Sequence, residues 1–317
     1  MALTFELTAV ERASRSVVGA AAPAKINRFL HVTGRRADGY HLLESVFQLI
    51  DLTDRIDVRV RDDDQVLRPQ PIAGVPAEQD LTVRAARLLQ QATGCRLGAE
   101  IGLTKVIPMG GGLGGGSSNA ATVLIVLNAL WDLGLPAEEL ARLGLKLGAD
   151  VPFFLFGRSA VARGVGEDLE PITLPEGWCV LLAPPVAVPT ASVFSAPELT
   201  RNTPPLTISG FQDGRPGSFE AWNSLLAQDL HNDLQPVVQR RFPQVALAIG
   251  QLAQAARNAG LSPEQVRMSG SGACVFLPVA DPALAQRVAS DAVLREVGTI
   301  HVCQLLSRHP LGSRQVG

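Results

Sequence analysis

The amino-acid sequence predicts an α+β protein of two domains. Strand-like alternation and helix-like periodicity occur in both halves of the chain, but never as the regular strand–helix series of a parallel sheet. At 317 residues the chain suits one large domain or two ordinary ones. The pattern breaks at "EPITLPEGW", 170–178, a stretch rich in Pro, Glu and Gly. That break divides the chain into 1–172 and 173–317.

The first half opens on an N-terminal stretch that reads, up to about Ala20, as an extension. "AKINRFLHVTG" then alternates as a strand, and Asp38-Gly39 in "RRADGYH" marks a turn. "HLLESVFQLIDLTDRIDVRVR" reads as two further strands, closed by "DDDQ". "LTVRAARLLQQATG" carries apolar residues at helical spacing and ends on glycine. "GAEIGLTKVIP" is a strand that runs into a glycine cluster. Two helices follow, "SSNAATVLIVLNALWDLG" with serines as capping candidates and "PAEELARLGLKLGAD" with proline near its start. "SAVARGVGEDLEPITL" reads as a hairpin.

In the second half, "CVLLAPPVAV" reads as a strand, "ASVFSAPEL" as a short helix and "RNTPPLTISGFQDGRPGS" as a loop. A helical region spans about 219–260. "VRMSGSGACVFLPV" is strand, tight glycine turn and strand, followed by one helix over 282–298 and a last strand, "TIHVCQLLS".

Composition narrows the function. The chain is 46% hydrophobic and 18% charged, enough apolar material for a sizeable core. A net charge of -2 and a pI near 6.2 argue against a nucleic-acid binder that works through a global positive field. They leave room for a small anionic substrate. Cys95, Cys179, Cys274 and Cys303 are scattered without metal-ligand spacing, as in a reduced intracellular chain. No apolar run reaches the length of a membrane span, and the N-terminus lacks a basic start before a long apolar core. The expectation is a cytoplasmic protein without a membrane partner.

"PMGGGLGGGSSNAATVL", Pro108 to Leu124, is the most informative segment. Glycine raises the entropy cost of ordering a chain, so a run of it against a helix needs a reason. A helix N-terminus exposes unpaired N–H groups with partial positive charge, and glycines let the backbone close on a ligand. The combination is a phosphate cradle. A flexible linker rarely joins an apolar strand to an apolar helix. Gly110, Gly112 and Gly115 satisfy GxGxxG, but a second helix follows where a dinucleotide-dependent oxidoreductase needs a strand ending in an acid. No GK[ST] closes the run, so it is not a Walker A loop. A different kind of nucleoside triphosphate loop is the remaining reading.

The segment resembles the central motif of the GHMP kinases, P-x-x-x-G-L-x-S-S-A. Three more blocks resemble the same family in the expected order: "PAKINRFLHVTGRRADGYH", "LGADVPFF" and "SGSGACVF", all between Pro23 and Phe276. The resemblance implies a two-domain GHMP kinase fold with ATP and substrate in the cleft between the domains. Within the family it implies a branch that phosphorylates the 2-hydroxyl of a cytidine-diphosphate-linked methylerythritol, a step of non-mevalonate isoprenoid precursor synthesis. Kinases of mevalonate, homoserine or a sugar are the alternative. Their acceptors carry no base for an aromatic residue such as Tyr40 to stack on. A catalytically inactive binding protein is a further alternative.

The resemblance also implies roles. Phosphoryl transfer needs in-line positioning, charge neutralisation and a group to receive the hydroxyl proton. Asp150 orients the acceptor hydroxyl or takes its proton, and Lys25 pairs with it as the second catalytic residue. A carboxylate is a weak base at neutral pH, so orientation outweighs proton abstraction. Without the resemblance, Asp150 reads as a helix cap and Lys25 as a snorkelling strand-edge lysine. The ATP site comprises Pro108, Met109, Gly110, Gly111, Gly112, Leu113, Gly114, Gly115, Gly116, Ser117 and Ser118, with Lys105 and Asp80 beside it. Asp80 departs from the family, which places asparagine there. For the acceptor, Asn27 hydrogen-bonds it, Tyr40 and Phe194 sandwich its base, His41 reads the base edge and Thr190 contacts the substrate. Ser269, Gly270, Ser271 and Gly272 form a supporting turn. Mg2+ is the implied companion of ATP, held mainly by phosphates and water; among protein groups Ser118 is the one candidate ligand.

Overall fold

Two long strands run together through the fold in the computed structural model, which describes residues 5–206, 219, 221–223 and 230–313. β1 (Ser16–Arg35) and β2 (His41–Arg61) pair antiparallel from Arg35↔His41 to Ser16↔Arg59. The sequence predicts two strands over 41–61; the structure has one. Its register against β1 shifts at Val17/Ala20, Pro23/Ala24, Asn27/Leu30 and Val32/Gly34. Such bulges bend a pair without ending it, so no turn residue is needed inside β2. β1 also starts earlier than predicted, and the preceding residues are folded. Thr8 and Glu11 form a capping box at the start of α1 (Ala9–Ser14), and Leu7 is buried.

One edge of β2 serves three partners in succession. β5 (Ala160–Arg163) pairs with Ser45–Phe47, β10 (Thr299–Leu306) with Leu49–Ile50 and β4 (Gly98–Thr104) with Arg55–Arg61. β3 (Val66–Leu67), β6 (Asp168–Pro171), β7 (Gly177–Ala183), β8 (Arg267–Met268) and β9 (Val275–Val279) complete a ten-stranded sheet ordered β3-β4-β2-β10-β7-β9-β8, with β1 and β5 also on β2. β5 and β6 form the predicted hairpin. β7 ends at Ala183, before Pro184 and Pro185, which cannot donate to a ladder.

Helices α2 (Leu81–Thr93), α3 (Gly115–Leu130), α4 (Ala137–Leu145) and α5 (Val151–Phe156) pack into one apolar cluster with β1, β2 and β4. α6 (Thr190–Phe194), α7 (Gln235–Arg241), α8 (Pro243–Asn258), α9 (Pro282–Ala289) and α10 (Ala292–Val297) join β7 and β9 in a second. α6 is shorter than the predicted helix. The predicted long helices are each broken. Phe242 (φ -128) separates α7 from α8 because Pro243 disfavours helical backbone before it. Asp291 accepts from the Val293 N–H and restarts the chain as α10. Residues 207–218 of the predicted loop, and 220 and 224–229 of the predicted helical region, lie outside the described residues.

A third cluster fills the joint, where Ala24, Ile26 and Leu113 meet Leu181, Cys274 and Phe276. The last strand thus returns to β2, and Leu311 is buried in the first cluster. No described helix is long and apolar enough to cross a membrane.

Candidate active site

The glycine run closes over this joint. Gly110, Gly112 and Gly114 have φ of +65, +73 and +70, the left-handed region that a side chain disfavours. The carbonyls of the run turn toward the scaffold. Gly110 O accepts from Ala273 N (3.1 Å), Gly111 O from Cys274 N (3.1 Å), Gly112 O from Ser269 Oγ (3.0 Å) and Leu113 O from Lys25 N (3.0 Å). With the carbonyls occupied, none of the N–H groups from Gly110 to Ser117 donates to a described residue. They line a cleft of about 620 Å³ at the start of α3. Alternating left-handed residues aim successive N–H groups at one point, the geometry that holds an anion. The approach is backbone against backbone, since a Cβ on Gly112 would stand 2.0 Å from the Ser269 carbonyl oxygen.

Lys25, Asn27 and Asp150 converge on the same cleft. Lys25 Nζ donates to Asn27 Oδ1 at 2.6 Å, stands 3.4 Å from Asp150 Oδ2 and lies 4.8 Å from the centre of the Phe47 ring. The lysine is 4% exposed and the aspartate 33%, so the carboxylate is the reachable member. Asn27 is fixed in turn, its Nδ2 donating to Ser45 Oγ (2.9 Å). Asp150 precedes α5 and makes no side-chain capping bond there, which leaves both oxygens for the cleft.

Other sequence candidates hold different posts. Lys105 Nζ donates to Asp54 Oδ2 (2.6 Å) and Ile107 O (2.8 Å). Asp54 is fully buried and its other oxygen accepts from Val106 N and Ile107 N, pinning the strand that leads into the glycine run. Asp80 lines the cleft, but Oδ1 caps α2 through Thr82 N (2.7 Å) and Oδ2 stands 2.6 Å from Arg68 Nε. Ser117 lines the cleft, whereas Ser118 is fully buried with no hydrogen-bond partner for Oγ among the described residues. In the supporting turn, Ser271 Oγ lies 2.7 Å from Thr190 Oγ1, and Gly270 and Gly272 flank it on the cleft wall.

A second cavity of about 580 Å³ adjoins the first and shares Leu43, Ala149, Val165, Thr190 and Phe194 with it. Tyr40, His41 and Phe194 line it. The His41 and Phe194 rings lie 5.0 Å apart at 33°, and Tyr40 is 65% exposed across the opening. Burial, then the nearby Arg201 and Arg35, push the His41 imidazole below its usual range, toward the neutral form.

Residues 80–158 match the GHMP kinases N terminal domain and 207–295 the GHMP kinases C terminal. The chain belongs to the GHMP kinase family. It is 53% identical over 270 residues to the 4-diphosphocytidyl-2-C-methyl-D-erythritol kinase of Aromatoleum aromaticum, covering 85% of this chain and 87% of that one. With the namesake enzyme of an Azoarcus species it shares 50% over 295 residues, 93% and 96% of the two chains. A crystal structure of 4-(cytidine 5'-diphospho)-2C-methyl-D-erythritol kinase superposes with a TM-score of 0.70 at 37% identity, over 92% of this chain and 98% of that chain. A homoserine kinase from Cytophaga hutchinsonii gives a TM-score of 0.69 at 17% identity over 93% and 96%, a likeness of fold.

This GHMP kinase cleft includes residues the sequence does not announce. Ile72, Val75, Leu81 and Leu103 make an apolar wall at the Asp80 end. Arg201 donates to His41 Nε2 at 3.0 Å across 160 positions of chain. Asp54 sits among other charges of β2 with no motif around it. Each depends on long-range packing, which leaves no local spacing to find.

Proposed function

We propose that the protein is an ATP-dependent kinase that transfers the γ-phosphoryl group to the 2-hydroxyl of 4-diphosphocytidyl-2-C-methyl-D-erythritol, releasing ADP. The observation that carries this reading is the pairing of two adjoining cavities, one lined by free backbone N–H groups and the other by Tyr40, His41 and Phe194. An acceptor without a base would leave that ring cluster idle, which disfavours mevalonate, homoserine or a sugar. The relatives at 50% and 53% identity carry the same name as this reading.

In this reading the N–H groups from Gly110 to Ser117 hold the triphosphate as fixed donors that need no reorganisation. The apolar wall of Ile72, Val75, Leu81 and Leu103 receives the adenine. Asp80 serves it indirectly, by holding Arg68 and the start of α2. Lys105 stands by Gly115, where an added Cβ would lie 3.0 Å from its Nζ, close enough to face phosphate. Asp150 orients the acceptor hydroxyl and takes its proton as the oxygen–phosphorus bond forms. Lys25 holds the carboxylate in place and offsets charge on the transferring group. Tyr40 and Phe194 stack the base and Asn27 and Thr190 position the acceptor. Among the described residues no three His, Cys, Asp or Glu side chains gather as a metal cage. Ser117 Oγ lines the cleft and fits Mg2+ carried mainly by phosphate and water, whereas Ser118 Oγ, the sequence candidate, is fully buried and outside the cleft lining. When bound, Mg2+ supplies neutralisation of phosphate charge. The division into 1–172 and 173–317 and a cytoplasmic location belong to the same proposal.

The test is ATP turnover with the cytidylyl acceptor by wild type, Asp150→Asn and Tyr40→Ala. Asp150→Asn is expected to lose most of kcat. Tyr40→Ala is expected to raise KM for the acceptor about 5- to 150-fold, the range for loss of one base-stacking contact. Wild-type rates in both variants would remove the assignment.

A further inference from the structure

Arg201 occupies a position no phosphate or substrate motif marks, yet it makes four hydrogen bonds at the base cavity. Its guanidinium donates to His41 Nε2 (3.0 Å), Phe194 O (3.0 Å), Ala196 O (2.6 Å) and Leu199 O (3.0 Å). The three carbonyls, Phe194 O at the end of α6 and Ala196 O and Leu199 O in the turn after it, fix the end of the element that carries Thr190 and Phe194. The fourth bond fixes something chemical. A guanidinium has donors only, so Nε2 must supply a lone pair. A neutral imidazole with Nε2 as acceptor carries its hydrogen on Nδ1. No described residue accepts from Nδ1, and the ring lies against Phe194 on the cavity wall.

We propose that Arg201 sets the base specificity of this kinase: by holding His41 as the Nδ1–H tautomer, it makes the cavity read a ring nitrogen that accepts, as N3 of cytosine does, and refuse one that donates, as N3–H of uracil does. The inference rests on the cytidylyl-acceptor reading above. Arg201 is a positioning residue, acting through His41 and the carbonyls at and after the end of α6. One side chain thereby registers the edge reader against the stacking ring. A base offering N3–H meets another donor, and two donors facing each other across the stacked base leave both without a partner there, the arrangement by which a polar site rejects a near-isostere.

The experiment compares the cytidylyl acceptor with its 4-diphosphouridyl analogue for wild type, Arg201→Met and Arg201→Lys. Wild type is expected to prefer cytidylyl strongly. Arg201→Met frees the imidazole to exchange tautomers, so the preference in kcat/KM falls about tenfold or more, the scale of one ordinary hydrogen bond. KM for the cytidylyl acceptor rises while kcat and KM for ATP stay near wild type. Arg201→Lys keeps a donor for Nε2 and recovers most of the preference. Proton–nitrogen correlation NMR of the free enzyme, with His41 identified through His41→Gln, is expected to show the Nδ1–H tautomer in wild type and its loss in Arg201→Met. A wild-type Nε2–H tautomer overturns the proposal whatever the variants do. So does an Arg201→Met enzyme that loses activity equally on both acceptors, which marks a purely structural role. If wild type turns over neither acceptor, the cytidylyl reading fails, and the NMR experiment still decides the Arg201–His41 link.

Discussion

Gly112→Ala puts a methyl group 2.0 Å from the Ser269 carbonyl oxygen and 2.9 Å from its carbonyl carbon. Both are backbone atoms of the supporting turn, so no side-chain rotation relieves the overlap. Separating the atoms to ordinary contact moves loop or turn by about 1 Å, and a displacement of that size at a reacting centre costs about 10²-fold in rate. The residue also sits at φ +73. A Cβ there adds about 1–2 kcal/mol of backbone strain, and the overpacking adds roughly 1–3 more. The expected stability loss is therefore about 2–5 kcal/mol, or a Tm lower by roughly 4–10 °C. The assay is ATP turnover with KM for each substrate, beside thermal unfolding. KM for ATP should rise more than KM for the acceptor if, as proposed, the loop's N–H groups hold the triphosphate. Gly250→Ala is the control. Gly250 lies in α8 and lines neither cavity, its added Cβ meets nothing within 4 Å, and its activity should equal wild type. Equal activity in Gly112→Ala and wild type would refute the close-approach argument.

Lys25→Met is expected to lower kcat about 10²- to 10³-fold with both KM values nearly unchanged, because the ammonium stands by Asp150 rather than in the cavity lined by Tyr40 and His41; steady-state kinetics over a range of each substrate checks this. Asp54→Ala strands Lys105 and removes the acceptor for Val106 N and Ile107 N. Urea unfolding should show a loss of about 3 kcal/mol, as for a broken buried pair, together with a raised KM for ATP. Burial pushes the His309 imidazole down to about 3. The unfolded chain then binds a proton near pH 6.5 that the native state refuses, so stability is full above that pH and falls as pH drops toward 3. Between pH 6.5 and 5, wild type should lose about 2 kcal/mol more than His309→Gln in urea unfolding. Parallel curves for the two proteins would remove His309 as the cause.

Much of the site was legible because its chemistry is local. A glycine run before an apolar helix states an anion cradle by itself, since helix ends and backbone N–H groups need no distant partner. The aromatic–histidine pair at Tyr40 and His41 follows a turn that Asp38-Gly39 specifies in the sequence. Less local matters were misjudged for physical reasons. The single strand β2 reads as two because bulges bend it without Gly or Pro. The helices of the second half read too long because their apolar spacing continues across two local breaks, Pro243 after Phe242 and the Asp291 cap.

The sequence by itself determined the class of fold, the family and the order of its motifs, because period, turn chemistry and motif order are properties of neighbouring positions. The tertiary structure alone decided what those residues face. It turned the loop carbonyls onto the 269–274 segment and so left the N–H groups for a ligand. It committed the Asp80 carboxylate to Arg68 and Thr82, and Lys105 to Asp54. It also brought Arg201 to His41. A hydrogen bond is made by atoms near in space, and only the folded chain sets which distant atoms are near.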